Sequence, residues 1–335
     1  MLNDGTQSAP ALSLHPHMAW LADNLIDAGL MQNPTDLLSA SGPDTKTFFL
    51  KVPDTAGKEA PSGGLVVRFM SGANAVAKEW PGEAAFFETL PNRDFPAPAV
   101  RAVFRDRHAG RACVVLTDLR ASHRRAWDMA TDTAADWREL ARTLGRVHAE
   151  WWPAQGLRGG GRSPFGMEAL VQRDRAVVTR AADLLSRMGH LNRDMVDWVE
   201  MQLDEAVAAK QSRWMAGAPV TRVHGTPSLG ILWHPKDPAA DRTRLTDWDD
   251  WRVDLWAGDI ARLLMDNTSG GLSLQDVLPA YRDGLVAAGI DDYPPEEMTR
   301  DVRACLPFEV AVGILQGRAT AARTAHWRAL ADAAV

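Results

Sequence analysis

The segment from Val220 to Leu264 begins VTRVHGTPSLGILW, ends RLTDWDDWRVDLWAGDIARLL, and decides the fold. A short apolar strand leads into His-Gly, a tight loop follows, and a second strand ends in Thr-Asp-Trp. A further acid, Asp259, opens the next helix. Acids presented from a strand end and a helix start, close to a His-Gly turn, suit metal-dependent phosphoryl transfer. The segment therefore predicts a site of that kind around His224 and Asp247.

The composition limits the classes of protein that this chain can represent. Its 335 residues predict two domains, or one large domain with two lobes, and 46% hydrophobic residues can form a substantial core. A net charge of −6 without a long Lys/Arg run argues against nucleic-acid binding. The two cysteines, Cys113 and Cys305, have no metal-type spacing, and the N-terminus lacks the features of a secretion signal. We expect a cytoplasmic protein with no membrane partner.

The first part of the chain has the pattern of a small β-rich unit. Short β-type runs are separated by turn residues, and two segments have apolar residues at helical spacing. We predict an N-terminal lobe at residues 1–116, built as a five-stranded sheet with a packed helix. The elements predicted individually are helices at His17–Leu30 and Ala84–Leu90 and strands at Thr47–Val52, Leu65–Phe69, Ala99–Phe104 and Ala112–Leu116.

After Asp118 the pattern becomes helical. Apolar residues from Trp137 to Trp151 recur at helical spacing and define one buried face, which includes His148. We predict a C-terminal lobe at residues 117–335, in which the Val220–Leu264 segment interrupts a series of helices. Those helices are predicted at Met167–Met188, Leu191–Trp214, Val277–Ala288, Glu296–Ala304 and Glu309–Ala331.

Six motifs occur in series: LVVRF, WPGEAAFFETL, VVLTDL, LGRVHAEWW, HGTPSLGI and LTDWDDWRVDLWAGDIARLL. In this order they resemble the aminoglycoside-phosphotransferase and choline-kinase-like superfamily, particularly its ecdysteroid-kinase-like branch. The resemblance implies an α+β, protein-kinase-like two-lobe fold, with a β-rich lobe that covers the nucleotide and a larger helical lobe. It also implies ATP as co-substrate, Mg²⁺, and a small-molecule hydroxyl acceptor.

The resemblance gives the residues of the central segment individual roles. Asp247 matches the Asp that holds Mg²⁺ against the nucleotide phosphates, and a turn or cap role is its alternative. His224 and Gly225 match the start of the catalytic loop, where the His is either a structural hydrogen-bonding group or a catalytic one. Asp259 matches the Asp that braces this loop, which is compatible with a helix N-cap.

Four residues are assigned to the nucleotide by the same resemblance. Arg68 stands where the family has a strand Lys, and Glu83 matches the helix Glu that orients it. A solvated helix face is the alternative for Glu83. Val115 and Thr117 belong to the hinge motif VVLTDL and are the predicted nucleotide-contacting positions there.

The catalytic loop departs from the family pattern. Thr226 occupies the position of the catalytic Asp, and a Thr hydroxyl cannot act as a carboxylate base at neutral pH. Ile231 occupies the position of the Asn that binds a second metal, or a deletion next to Gly230 has removed that Asn. Arg68 keeps the charge of the family Lys but spreads it over a planar fork.

Two nearby groups of charged residues have open interpretations. Asp249 and Asp250 either replace the missing carboxylate or form a solvated pair. His123, Arg124 and Arg125 either meet substrate or nucleotide or form a solvated basic loop.

Two functional hypotheses follow. The chain either transfers a phosphoryl group from ATP to a small-molecule hydroxyl, or is a catalytically inactive pseudokinase that binds a nucleotide or another ligand.

Overall fold

The computed structural model describes residues 16–31, 47–50, 64–71, 82–90, 95–106, 108–128, 134–152, 167–267 and 272–333. The chain divides into two compact units. Met1–Glu88 and Pro98–Ala121 form the first, here called the β-rich unit, and Thr89–Ala97 and Ser122–Val335 form the second, the helical unit. The predicted limit after residue 116 lies near one of these boundaries. The segment Thr89–Ala97, however, belongs to the helical unit, because it packs there.

The β-rich unit contains one antiparallel sheet in the order β1-β2-β4-β3. Among its described residues the sheet has four strands, so the predicted fifth strand is absent from this part of the chain. The turn between β3 and β4 is stabilised by Asp106, whose carboxylate accepts the backbone N–H groups of His108 and Ala109. The elements are α1 (Pro16–Asp27), β1 (Thr47–Leu50), β2 (Leu65–Ser71), α2 (Gly82–Glu88), β3 (Val100–Asp106) and β4 (Arg111–Thr117).

The alternation of side chains along β2 determines the face of the sheet on which Arg68 lies. Val67 is fully buried and belongs to the same core cluster as Leu21 and Leu25 of α1. Successive side chains of a strand point to opposite faces, so Arg68 points away from that cluster. It meets Glu83 of α2 there.

The helical unit combines helices with two small antiparallel sheets, β5-β7-β8 and β6-β9. None of the helices in the described ranges has the length and apolar character needed to cross a membrane. The elements are β5 (His123–Arg125), α3 (Ala134–Ala149), α4 (Met167–Leu185), α5 (Arg193–Met215), β6 (Val220–Val223), β7 (Leu232–Pro235), β8 (Arg244–Leu245), β9 (Arg252–Leu255), α6 (Ala257–Asp266), α7 (Leu274–Ala287), α8 (Pro295–Leu315) and α9 (Ala321–Ala333).

The last two helices differ from the prediction. The sequence suggested a break between Ala304 and Glu309, but α8 continues through Pro307. Buried neighbours such as Cys305 and Phe308 hold this turn in the core despite the hydrogen bond that a proline removes. The helix ends instead just before Gly317, which has the left-handed φ of 67° that favours glycine.

Residues 95–97 support β8 and the turn that follows it. The Arg244 guanidinium donates to the carbonyl oxygens of Phe95 and Ala97, at 3.1 and 3.2 Å. The Phe95 ring lies 5.4 Å from the ring of Trp151 and 5.6 Å from that of Trp248. Aromatic packing of Phe95 therefore fixes residues 95–97 against the turn that follows β8.

Candidate functional site

His224 lies directly after β6, and its side chain is fully buried. Its Nε2 lies 2.9 Å from the carbonyl oxygen of Thr246, and its ring lies 4.5 Å from the ring of Trp248. Burial lowers the pKa of His224, so the neutral ring donates its Nε2–H to that carbonyl. Its Nδ1 has no hydrogen-bond partner in the described part of the chain. The geometry favours the structural interpretation, because His224 fixes the backbone just ahead of Asp247.

Gly225 is the point at which two backbone segments meet. Its φ is 89°, and a Cβ atom there would lie 2.3 Å from the carbonyl oxygen of Asp250. Any side chain at this position would force the two segments apart. The glycine of the HG motif therefore has a steric cause.

Asp259, in the first turn of α6, binds the backbone of the loop that begins at His224. Its Oδ2 accepts the backbone N–H of His224 at 2.6 Å, and its Oδ1 accepts that of Gly225 at 2.8 Å. Burial acts to raise the pKa of Asp259, but the hydrogen bonds from His148 and from the Gly225 backbone lower it overall. The carboxylate is thus ionised and braces the loop, which is the role that the resemblance implied.

His148 on α3 completes this brace, and the sequence interpretation gave it no such role. Its Nε2 lies 3.1 Å from Asp259 Oδ2, and its Nδ1 lies 2.9 Å from the hydroxyl of Tyr281 on α7. All three side chains are fully buried. A polar residue on an otherwise apolar helix face was the available signal, because buried polar groups require a partner.

Asp247 has a backbone conformation that non-glycine residues rarely adopt. With φ 61° and ψ 57°, it is the one non-glycine residue with positive φ in the described ranges. Its Oδ2 lies 3.4 Å from the Thr246 hydroxyl and 3.7 Å from Nη2 of Arg125. The side chain is 43% exposed. Backbone conformations of this kind cost free energy, persist only where the surrounding structure holds them, and cluster at functional sites.

The basic residues after the β-rich unit are not a solvated loop. They form β5, which pairs with β7. His123 is buried, with its Nε2 2.9 Å from the carbonyl oxygen of Arg242, whereas Arg124 is exposed. Arg125 is half-buried, and its Nε donates to the carbonyl oxygen of Gly230. The solvated-loop interpretation is therefore wrong for His123 and Arg125.

At the two positions where the resemblance implies a carboxylate and an amide, the chain has Thr226 and Ile231. Thr226 is half-buried, and its hydroxyl makes no hydrogen bond to the described residues. Ile231 is 4% exposed and packs into the core, while its carbonyl oxygen accepts the backbone N–H of Thr246. Asp249 and Asp250 are exposed, as expected for the solvated interpretation.

In the β-rich unit, Arg68 and Glu83 form a two-pronged ion pair. Nη1 of Arg68 lies 3.1 Å from Oε1 of Glu83, and Nε lies 3.0 Å from Oε2. Glu83 is buried, so its interpretation as a solvated helix residue is wrong. The arrangement fixes the planar guanidinium, which suits binding of phosphate oxygens. Its contact with a nucleotide stays a prediction.

The two hinge positions differ in what they can offer a ligand. Val115 is fully buried, and its backbone pairs with Val67 on one side and Ala102 on the other. The Val115 side chain is therefore part of the sheet core, and a contact between this position and a nucleotide stays a prediction. Thr117 ends β4, is half-buried, and accepts a hydrogen bond from Arg101 at 3.2 Å.

The residues around Asp247 do not fit a resident Mg²⁺ ion. Mg²⁺ takes six oxygen ligands in near-octahedral geometry. Asp247 supplies one carboxylate, and the guanidinium of Arg125 already lies beside it. At the position where the resemblance implies a second ligand, Ile231 packs into the core. No group of three His, Cys, Asp or Glu side chains in the described ranges is placed to hold a metal.

Comparison with solved structures identifies the fold. A choline kinase from Streptococcus pneumoniae, LicA, matches 95% of this chain and 99% of its own, with a TM-score of 0.53 and 11% identity. A choline kinase from Cryptosporidium parvum matches 94% of each chain, with a TM-score of 0.54 and 8% identity. An aminoglycoside phosphotransferase from Alicyclobacillus acidocaldarius matches 89% of this chain and 90% of its own, with a TM-score of 0.50 and 12% identity.

These likenesses confirm the predicted α+β, protein-kinase-like fold class, with a small β-sheet region and a larger helical part. At such low identity they establish the fold alone. No family model matches the sequence, and no curated protein matches it.

Proposed function

We propose that this protein binds a nucleoside triphosphate and transfers its terminal phosphoryl group to a hydroxyl of a small molecule. The observation that carries the proposal is the braced His-Gly loop, in which Asp259 holds the N–H groups of His224 and Gly225. The chemistry of the solved neighbours, which are named as choline kinases and an aminoglycoside phosphotransferase, suggests the acceptor class. We further propose, on the resemblance of the six sequence motifs, that the chain is of the ecdysteroid-kinase-like kind.

Positioning and charge stabilisation carry most of phosphoryl transfer, so a loop without a carboxylate base can retain some activity. Loss of a general base costs ~10²–10⁴-fold in rate. In this proposal the Thr226 hydroxyl orients the acceptor, and the acceptor proton leaves to water. The Arg68–Glu83 pair in the β-rich unit binds phosphate oxygens of the nucleotide.

A second candidate function is binding without transfer. It is favoured by the two missing side chains, since Thr226 offers no carboxylate and Ile231 packs into the core. A protein of this kind would bind nucleotide and produce no phosphorylated product.

Substitution of Thr226→Asp tests which candidate is correct. If the loop is otherwise competent, a restored carboxylate will raise nucleotide turnover by about 100-fold or more. The measurement is release of nucleoside diphosphate from ATP, with choline, ethanolamine and aminoglycosides as trial acceptors. Thr226→Asn is the matched control, because asparagine has nearly the same shape as aspartate without its negative charge.

The outcomes separate the candidates. Turnover that rises in Thr226→Asp and not in Thr226→Asn supports a phosphotransferase. ATP binding without turnover in any variant supports the binding module. A protein that binds no nucleotide under any condition rules out both candidates.

A further inference from the structure

Arg125 occupies an unusual position next to the catalytic-type loop. Pairing of β5 with β7 places it opposite Trp233, and its guanidinium lies 5.8 Å from the centroid of that ring. Its Nε donates to the carbonyl oxygen of Gly230. Its Nη2 lies 3.7 Å from Oδ2 of Asp247. One cation therefore contacts both the loop turn and the acid that the family uses for metal.

The two oxygen groups that converge here are the Gly230 carbonyl and the Asp247 carboxylate. A carbonyl and a carboxylate are typical ligands of a hard divalent cation. In this chain a guanidinium lies beside both of them. The neighbouring Ile231 adds no ligand, because its side chain is buried in the core.

We propose that Arg125 is the cation of this site: its guanidinium neutralises Asp247 and binds the phosphate groups of the nucleotide, so that nucleotide binding requires no divalent metal. This inference rests on the nucleotide binding proposed above and removes the requirement for Mg²⁺ at the same site. It assigns Arg125 a role in binding and gives it no part in proton transfer.

The chemistry of the guanidinium suits this role. Arg remains charged at any physiological pH and presents several N–H donors in a planar fork that matches phosphate oxygens. Nε is already used on the Gly230 carbonyl, which fixes the plane of the fork. The Arg125 and Asp247 side chains are 38% and 43% exposed, so the outward-facing N–H groups remain accessible to solvent and to an anion.

The ion pair between Arg125 and Asp247 can rearrange when a ligand binds. An ion pair with this exposure and separation is weak. The guanidinium can therefore shift towards a phosphate group without a large loss. Without Arg125, the carboxylate would repel a polyphosphate unless a metal ion lay between them.

Calorimetric titration with ATP, once in EDTA and once in excess Mg²⁺, tests the proposal on the full chain. In the wild-type protein we expect the two dissociation constants to agree within about threefold. For Arg125→Gln we expect binding in EDTA to weaken by about tenfold or more, because the charge-assisted contact is lost. Excess Mg²⁺ should restore much of that loss, since the metal can then take the place of the guanidinium between the Asp247 carboxylate and the phosphates.

Two further variants control for structural effects. Arg125→Lys keeps the charge and should retain part of the EDTA affinity. Arg124→Gln changes the exposed neighbour on the same strand and should leave both dissociation constants unchanged. Thermal melting of each variant checks that the fold persists.

Binding of Mn²⁺ without nucleotide, followed by paramagnetic resonance, tests the metal site directly. We expect no tight Mn²⁺ binding to the wild type. Arg125→Gln should gain Mn²⁺ binding. The double variant with Arg125→Gln and Asp247→Asn should lose that gain. Tight Mn²⁺ binding by the wild type would overturn the inference.

The nucleotide result distinguishes two failures. If wild-type ATP binding is lost in EDTA and present with Mg²⁺, the proposed function stands and the inference about Arg125 falls. If ATP binds under neither condition, the proposed function falls and this inference falls with it.

Discussion

Gly225 and Gly217 have the same backbone conformation and different surroundings. Both have φ 89°. A Cβ on Gly217 would meet no atom within 4 Å, whereas one on Gly225 would lie 2.3 Å from the carbonyl oxygen of Asp250. The two positions therefore separate the cost of a left-handed backbone from the cost of a close backbone approach.

We predict that Gly217→Ala lowers the free energy of unfolding by about 1–2 kcal/mol, which is the cost of the left-handed conformation alone. Gly225→Ala should cost at least ~2 kcal/mol more, because the new methyl group also overlaps the Asp250 carbonyl. Urea denaturation of both variants measures the difference. Equal losses would mean that the loop moves aside freely, and would remove the steric explanation of the HG motif.

At the scale of the element, helix α2 carries two glutamates that pair with strand arginines. Glu83 is buried against Arg68 of β2. Glu88 pairs with Arg105 of β3 at 2.8 Å, but the side chains are 42% and 25% exposed. The same helix thus contains one buried and one partly exposed ion pair.

We expect Glu83→Gln to lower the free energy of unfolding by about 3 kcal/mol or more, since it leaves the Arg68 charge without its buried partner. Glu88→Gln should cost less than ~1 kcal/mol, because water screens an exposed pair. Chemical denaturation monitored by far-UV circular dichroism gives both values. If the two substitutions cost the same, the burial of Glu83 does not determine the strength of its pair.

At the scale of the whole molecule, one short segment belongs to a unit that its place in the chain does not suggest. Thr89–Ala97 lies between α2 and β3 in sequence, yet it packs in the helical unit. Phe95 is 2% exposed there. Phe86, a few residues earlier, is fully buried in the β-rich unit.

We predict that Phe95→Ala costs about 3–5 kcal/mol and acts on the helical unit, because it leaves a cavity beside Trp151 and Trp248. Hydrogen exchange should then show lost protection in β8 and the turn after it. Phe86→Ala is the matched control and should reduce protection in the β-rich sheet. A loss confined to the β-rich unit in Phe95→Ala would contradict the assignment of this segment.

Local pattern was sufficient for most elements. Helical spacing identified α3 to α5, and β-type runs identified the strands of the β-rich sheet within a few residues. The same pattern failed at Pro307, because burial of neighbouring side chains outweighed a residue that usually breaks helices. The six motifs in series indicated the fold class that the solved structures confirm.

The sequence by itself thus determined the type of most elements and the fold class, because periodicity and short motifs are properties of neighbouring residues. Only the tertiary structure decided that His148 braces Asp259, that Val115 lies in the sheet core, and that Arg125 lies beside Asp247. These contacts join residues far apart in the chain. A side chain's partner and burial depend on how the elements pack, and no local spacing records that.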